Sequence, residues 1–253
     1  MSRVTVDGDG LRQTLAEVPL IAMITEPDAP RLPDVVAALG AAGVAAVEIT
    51  LTSPGALDAV RRSVATRSAL VGAGTVLTPA IARQAVEAGA DYLLTPGVLP
   101  DVMAEANRLG VPLVCGAFTL TEVLAAWRGG AQLVKLFPAW LGGPPYVASI
   151  SRALPEVPLV PTGGVTRGQI KDYLVAGAAA LALGREIVGD ALDGGDVVAV
   201  AQRATELKAI LDDARAEMGR TWPPGGSPAL TRRRSPTQTR PEVEAAPPDE
   251  PPR

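Results

Sequence analysis

The sequence contains no histidine among its 253 residues. This absence excludes Ser-His-Asp and Cys-His catalytic arrangements and the usual zinc-ligand sets. Acid–base chemistry must then fall to Asp, Glu, Lys, Tyr or water. A magnesium ion bound by carboxylates stays open, but no dense acidic cluster along the chain suggests where it would bind. We therefore predict a mechanism without a metal or other cofactor.

Other scarcities limit the class of protein. Aromatic residues make up 3% of the chain against 47% hydrophobic residues, so Ala, Val, Leu and Ile must build the core. The single cysteine, Cys115, excludes an internal disulfide and indicates a reducing compartment. No apolar run reaches the roughly 18 residues of a membrane span, and residues 1–10 lack a signal-peptide pattern. The net charge of -4 argues against nucleic acid as a partner. We expect a cytoplasmic protein that binds neither membrane nor nucleic acid.

A repeat of about 22 residues runs through the chain. Its mark is a glycine between a helical pattern and an apolar strand, at positions Gly43, Gly89, Gly110, Gly130 and Gly177. Glycine at the end of a helix accepts the left-handed backbone conformation that closes the last turn. A βα unit with short loops has about this length.

The repeat divides the chain into eight candidate strands that alternate with helical patterns. The strands are expected at residues 19–24, 46–51, 69–76, 92–96, 112–117, 133–137, 159–162 and 180–183. A short helix precedes them at residues 11–18, and a long helical stretch follows to about Met218. This alternation predicts an α/β fold, a (βα)₈ TIM barrel, with a doubly wound open sheet as the alternative.

The composition changes at about Gly219, where a segment rich in proline and arginine begins. Such a segment has too few apolar residues to offset the entropy lost on ordering the chain. We therefore predict two regions, a barrel domain at residues 1–218 and a disordered tail at residues 219–253.

Lys135 interrupts a short apolar run that ends in Phe137 and Pro138 and is typical of a buried strand. Removal from water disfavours the charged form of an amine and frees it as a nucleophile for Schiff-base chemistry on a carbonyl substrate. The alternative is a lysine at a strand end whose ammonium group reaches solvent. The glutamate described next favours the interpretation of Lys135 as a nucleophile.

Glu48 lies in a second apolar run, where alternation directs Val47 and Ile49 toward the helices and turns Glu48 inward. An inward glutamate needs a partner, and Lys135 is the candidate. The pair is either an acid–base and nucleophile pair or a structural buried ion pair. In the first case Lys135 attacks a ketone carbonyl and Glu48 moves protons during carbon–carbon bond cleavage.

Three glycine-rich segments are predicted at strand ends. In residues 71–76 the glycines allow close approach of a ligand to the backbone, and Thr75 can bind a small polar group. Residues 161–165 and 183–186 follow the seventh and eighth strands, where barrels often bind phosphate. Arg185 would add positive charge there, or would instead pair with a carboxylate at the rim.

Five stretches of the sequence resemble the 2-keto-3-deoxy-6-phosphogluconate (KDPG) aldolase family, which also includes 4-hydroxy-2-oxoglutarate aldolases. They are VEITLTSPGAL from Val47, VGAGTVLTP from Val71, AGADYLLTPG from Ala88, VKLFPA from Val134 and PTGGV from Pro161. The resemblance implies a homotrimeric barrel and a metal-free class I aldolase. Its reaction would cleave KDPG to pyruvate and glyceraldehyde 3-phosphate, with a second activity on 4-hydroxy-2-oxoglutarate giving pyruvate and glyoxylate.

The resemblance also implies a role for each matching residue. Lys135 would form the Schiff base and Glu48 would be the general acid–base. The residues expected to contact the rest of the substrate are Thr52, Thr75, Pro96, Phe137 and Thr162, and those expected around the distal phosphate are Gly163, Gly164, Gly184 and Arg185.

The sequence also departs from the family pattern. Thr52 stands where some members carry an arginine after the catalytic glutamate, and residues 23–25 lack the arginine that others carry. A substrate carboxylate would then lose its bidentate partner. Trp140 and Arg185 replace residues common in the family. Two alternatives therefore stay open: an aldolase for another 2-keto-3-deoxy sugar acid, and a catalytically weak barrel that binds a phosphorylated metabolite or serves as an assembly subunit.

Overall fold

The fold was analysed in a computed structural model that describes residues 7–25 and 30–219. The predicted disordered tail lies outside the described residues, except for Gly219. Within them, the alternating strands and helices form the eight-stranded parallel barrel that the repeat predicts.

From β1 to β7 each strand pairs in parallel with the next, and β1 also pairs with β8. The strands are β1 (Leu20–Ile24), β2 (Ala46–Thr50), β3 (Leu70–Gly74), β4 (Tyr92–Thr95), β5 (Leu113–Ala117), β6 (Leu133–Leu136), β7 (Leu159–Pro161) and β8 (Leu181–Leu183). Between β7 and β8, the amide of Ala179 donates to the carbonyl of Leu159 at 2.8 Å, and a bridge joins Thr162 to Ala182. These contacts bring the two ends of the sheet together, so the structure is a barrel and not an open sheet.

Helix α1 (Gly8–Glu17) precedes the first strand, and the later helices cover the outside of the barrel. These are α2 (Leu32–Ala41), α3 (Ala56–Ala65), α4 (Pro79–Glu87), α5 (Pro100–Leu109), α6 (Leu120–Arg128), α7 (Gly143–Ala153), α8 (Ile170–Val175), α9 (Arg185–Val188) and α10 (Val197–Met218). The long final helical stretch that we predicted is in fact two helices, because residues 189–196 break it and Asp196 caps α10 anew. Among the described residues, no helix has the length and apolar character needed to cross a membrane.

The predicted glycines do end helices in the left-handed conformation. Their φ angles lie between 67° and 105° for Gly43, Gly89, Gly110, Gly130 and Gly177. At one position where the repeat lacks a glycine, Arg67 adopts the same conformation with φ 55°. The βα repeat therefore requires the left-handed conformation where a helix ends and the next strand begins. Glycine adopts this conformation with the least steric strain.

Two layers of apolar side chains follow from the alternation of the strands. The larger lies between the sheet and the helices and includes Val47 and Ile49. The smaller fills the barrel interior and includes Tyr92 and Leu133, with Leu11 and Leu15 of α1 packed against it. Helix α1 thus packs its buried leucines onto the interior core. The candidate site lies at the carboxyl ends of the strands.

Candidate active site

Glu48 and Lys135 meet inside the barrel although 87 residues separate them in sequence. The Nζ atom of Lys135 lies 3.1 Å from Oε1 of Glu48 and 3.4 Å from Oε2. Lys135 is 6% exposed and Glu48 is 1% exposed. The alternative in which the Lys135 ammonium group reaches bulk water does not fit this geometry.

Strand register explains why the two side chains face one another. Glu48 is the third residue of β2 and Lys135 is the third residue of β6. The two strands run parallel in the barrel, so both side chains lie at a similar height in its interior. Glu48 has Gly72 beside it on β3, and Lys135 has Gly116 beside it on β5. Because these inward neighbours have no side chains, the ring of Tyr92 packs against Gly72, and the backbone of Pro96 and Gly97 lies close to Gly116.

Three residues on the neighbouring strands β3 and β4 pack beside Glu48: Gly72, Gly74 and Tyr92. We call these three residues the Glu48 seat. A β-carbon on Gly74 would lie 2.7 Å from Cγ and 2.8 Å from Cδ of Glu48 and would overlap Oε1. A β-carbon on Gly72 would collide with the ring of Tyr92. We expected these glycines to admit a ligand, but Gly74 lies against Glu48 and Gly72 against Tyr92.

Tyr92 is fully buried in the barrel interior, and its hydroxyl donates to the carbonyl of Val47 at 2.7 Å. Burial raises the pKa of this phenol well above its usual value, and the nearby charges of Glu48 and Asp91 raise it further. The hydroxyl therefore keeps its proton and stays a donor. Sequence reasoning missed this role; the only signal was a tyrosine at an inward strand position.

Two threonines of the predicted site lie at the upper edge of the barrel. Thr75 directly follows β3 and has φ 57°, which is a strained conformation for a β-branched residue. Such strain concentrates at functional sites. Thr162 directly follows β7, is fully buried and donates from Oγ1 to the carbonyl of Val160 at 3.0 Å. Both residues therefore lie at the carboxyl-terminal end of the barrel.

Phe137 forms part of the wall near Lys135. Its ring centroid lies 5.7 Å from Nζ of Lys135, and the residue is 41% exposed. A β-carbon on Gly163 would lie 2.9 Å from Cε2 of this ring. Backbone hydrogen bonds join the segments after β6 and β7, with Ala139 donating to Thr162 at 2.8 Å and Trp140 donating to Gly163 at 3.1 Å. The predicted residues at these two strand ends therefore form one connected wall.

The remaining predicted residues are spread around the rim. Gly184 and Arg185 line a cavity of about 70 Å³ together with Met23, Thr25 and Asp193, next to the end of β1. Arg185 and Thr52 are both exposed, and Thr52 lies in the turn after β2. Pro96, directly after β4, is also exposed. Glu48 and Lys135 point into the barrel from within β2 and β6, and the structure places the other predicted site residues at or just beyond the carboxyl end of a strand, where active sites of such barrels lie.

The acidic and thiol side chains were also compared with the arrangement that a bound metal ion needs. Among residues 7–25 and 30–219, no group of three or more Cys, Asp or Glu side chains is arranged to hold a metal ion.

Comparison with known proteins gives the site its context. The family model for KDPG and KHG aldolase matches residues 11–203. A 2-dehydro-3-deoxy-phosphogluconate aldolase of Pseudomonas aeruginosa is 38% identical over 159 residues, which are 62% of this chain and 71% of that protein. A 2-dehydro-3-deoxy-6-phosphogalactonate aldolase of Escherichia coli K12 is 33% identical over 183 residues, which are 69% and 87% of the two chains.

Among solved structures, the KDPG aldolase of Legionella pneumophila holds pyruvate as a covalent carbinolamine intermediate. It is 27% identical, with a TM-score of 0.73, and the match covers 80% of this chain and 98% of that one. The family match includes both Glu48 and Lys135 and most of the barrel. From the match and the common fold, we conclude that the chain belongs to the KDPG and KHG aldolase family.

Proposed function

We propose that the protein is a class I aldolase in which Lys135 forms a Schiff base with a 2-keto acid and Glu48 is the general acid–base. The observation that carries this proposal is the buried contact of 3.1 Å between Nζ of Lys135 and the Glu48 carboxylate. A structural ion pair remains the alternative. The covalent pyruvate adduct in the Legionella relative supports the catalytic role.

Schiff-base formation begins with a proton transfer within the pair. The Lys135 ammonium group gives a proton to the Glu48 carboxylate, and the neutral amine attacks C2 of the keto acid. The resulting carbinolamine loses water when the protonated Glu48 returns its proton to the departing hydroxyl group. The products of this step are a protonated iminium on Lys135, an ionised Glu48 and one water molecule.

Cleavage then uses the iminium as the electron sink. Glu48, directly or through one water molecule, takes the proton from the C4 hydroxyl. The electrons of the C3–C4 bond move toward the iminium, an aldehyde leaves, and an enamine remains on Lys135. Glu48 returns the proton to C3 and water releases pyruvate. Because the iminium accepts the electron pair, we propose that the reaction requires no metal or other cofactor.

For the substrate, we propose a 2-keto-3-deoxy sugar acid with a phosphate at C6, namely KDPG. The relatives that act on phosphorylated gluconate and galactonate acids support this class but differ in the hydroxyl configuration that they accept. Gly163 and Gly164 after β7 and Gly184 and Arg185 after β8 are the proposed phosphate contacts. The second candidate substrate is 4-hydroxy-2-oxoglutarate, which the family description of KHG aldolase supports. Kinetics on KDPG and on 4-hydroxy-2-oxoglutarate separate the two.

Reductive trapping tests the mechanism. The protein is incubated with pyruvate and borohydride, and the adduct is located by intact mass and peptide mapping. We expect one pyruvate-derived adduct on Lys135 and none in Lys135→Ala. Lys171→Ala is the matched control, since Lys171 is half exposed and lies on α8, away from the strand ends. An adduct on another lysine, or substantial aldol cleavage by Lys135→Ala, would eliminate the mechanism.

Three further properties remain proposals that rest on the family. We propose a homotrimer, which light scattering would measure. We propose cytoplasmic location, in keeping with the single buried thiol of Cys115. Aldol cleavage at full rate in the presence of a chelator would agree with the metal-free mechanism.

A further inference from the structure

The Glu48 carboxylate lies directly over the backbone of β3 at Gly74. Glu48 is buried, and a β-carbon on Gly74 would come within 2.8 Å of Cδ, 2.7 Å of Cγ and closer still to Oε1. Non-bonded carbon atoms prefer separations of about 3.5–4.0 Å. Any side chain at Gly74 therefore requires the carboxylate to move.

Backbone conformation does not explain the glycine. The residues with a φ angle that favours glycine include Gly163 and Gly164, but Gly74 is not among them. Gly74 is paired in the regular ladder with Thr50 of β2, where an alanine could adopt the same backbone. The three atoms nearest to an added β-carbon all belong to the Glu48 side chain, which therefore excludes a larger residue.

We propose that Gly74 is a positioning residue for the proposed reaction: its missing side chain fixes where the Glu48 carboxylate lies relative to Lys135. This inference rests on the proposed function, because it assigns Gly74 to the proton-transfer step. With Gly74 present, both oxygens of Glu48 remain within 3.4 Å of Nζ of Lys135. A carboxylate displaced by a methyl group loses that approach.

The other two members of the Glu48 seat support the carboxylate from the side of the interior core. The Tyr92 ring occupies the space over Gly72, and its hydroxyl holds the carbonyl of Val47, the residue before Glu48. The backbone of β2 is therefore held in place while the side chain of Glu48 rests on Gly74.

The first test separates Schiff-base formation from proton transfer in Gly74→Ala. Pyruvate bound as an iminium exchanges its methyl protons for deuterium only when a base removes them, so exchange in D₂O measured by NMR reports the action of Glu48. We expect Gly74→Ala to reach the same final extent of borohydride trapping of pyruvate on Lys135, although more slowly because Glu48 also assists Schiff-base formation. Deuterium exchange should be at least about 100-fold slower. Gly168→Ala is the control, since a β-carbon on Gly168 meets nothing within 4 Å, and it should match the parent protein in both assays.

The second test asks whether the effect passes through Glu48. Glu48→Gln should slow exchange by a similar factor, and Gly74→Ala combined with Glu48→Gln should be no slower than Glu48→Gln alone, because the two changes remove the same function. For stability, Gly74→Ala should lower Tm by about 5 °C. Gly74→Ala should lower Tm less in a Glu48→Ala background than in the parent protein, because the shortened side chain removes the overlap.

These outcomes distinguish this inference from the proposed function. Parent protein that fails to trap pyruvate overturns the Schiff-base mechanism, whatever Gly74 does. If the parent traps pyruvate, then unchanged deuterium exchange in Gly74→Ala overturns the positioning role. The positioning role is also overturned if the loss of exchange in the double variant is the product of the two single losses. It is overturned as well if Gly74→Ala lowers Tm as much in the Glu48→Ala background as in the parent protein.

Discussion

Replacing Lys135 by methionine should destabilise the protein although it removes a charge from the barrel interior. Glu48 is 1% exposed, and among the described residues Lys135 is its only hydrogen-bond donor. Lys135→Met leaves the carboxylate buried without a partner, which costs about 3–5 kcal/mol. The new apolar side chain recovers about 1 kcal/mol of this loss. We expect a net loss of about 3 kcal/mol, a Tm decrease of about 6–12 °C for a domain of this size.

The assay is thermal unfolding at neutral pH, compared with two further variants. Lys135→Met with Glu48→Gln removes the orphaned charge and should regain most of the lost Tm. Lys171→Met breaks an ion pair with Glu217 whose partners are 50% and 59% exposed. An exposed pair contributes at most about 1 kcal/mol, so this control should change Tm little.

A Lys135→Met variant as stable as the parent, with Glu48 intact, would refute the reasoning. It would mean that Glu48 does not depend on Lys135 for its charge compensation. The same measurement therefore bears on the proposed proton transfer, since that step requires the two groups to interact directly.

Two further predictions concern stability. The hydrogen bonds from Arg108 and then Arg83 lower the pKa of Glu105 from 4.5 to about 2. The stability that this lowered pKa provides is present above about pH 4.5 and is lost as the pH falls toward 2. Urea unfolding should therefore show that Glu105→Gln is less stable than the parent at pH 7. Near pH 2 the two proteins should be nearly equal in stability. Tyr92→Phe removes the buried hydroxyl that donates to Val47, which should cost about 1 kcal/mol and lower Tm by about 2–4 °C. An unchanged Tm would show that this hydrogen bond contributes nothing.

Local sequence signals predicted the boundaries of most elements. Helix α5 begins and ends where Pro100 and the glycine after Leu109 indicate, and the starts of β2 and β6 match the apolar runs. These signals are local because proline and glycine act through their own backbone angles. The break between α9 and α10 was missed. We predicted one long helical stretch there, although Gly189, Gly194 and Gly195 lie in the segment that breaks it.

For the site, the strand alternation placed Glu48 and Lys135 on the inward face, and the resemblance supplied their roles. The distance between them depends on closure of the ring, which brings β2 and β6 to opposite walls of one interior. A pattern along the chain contains no such distance, because the side chains that meet are separated by 87 residues.

The sequence by itself predicted the repeat and the barrel class, since both rest on periodicity, and its residue types indicated the Schiff-base chemistry that we propose. The tertiary structure alone decided what each side chain touches. Gly74 faces Glu48 instead of a ligand, Tyr92 fills the space over Gly72, and Thr75 adopts a left-handed conformation. Packing across neighbouring strands sets these contacts, and it depends on register and curvature that local sequence does not contain.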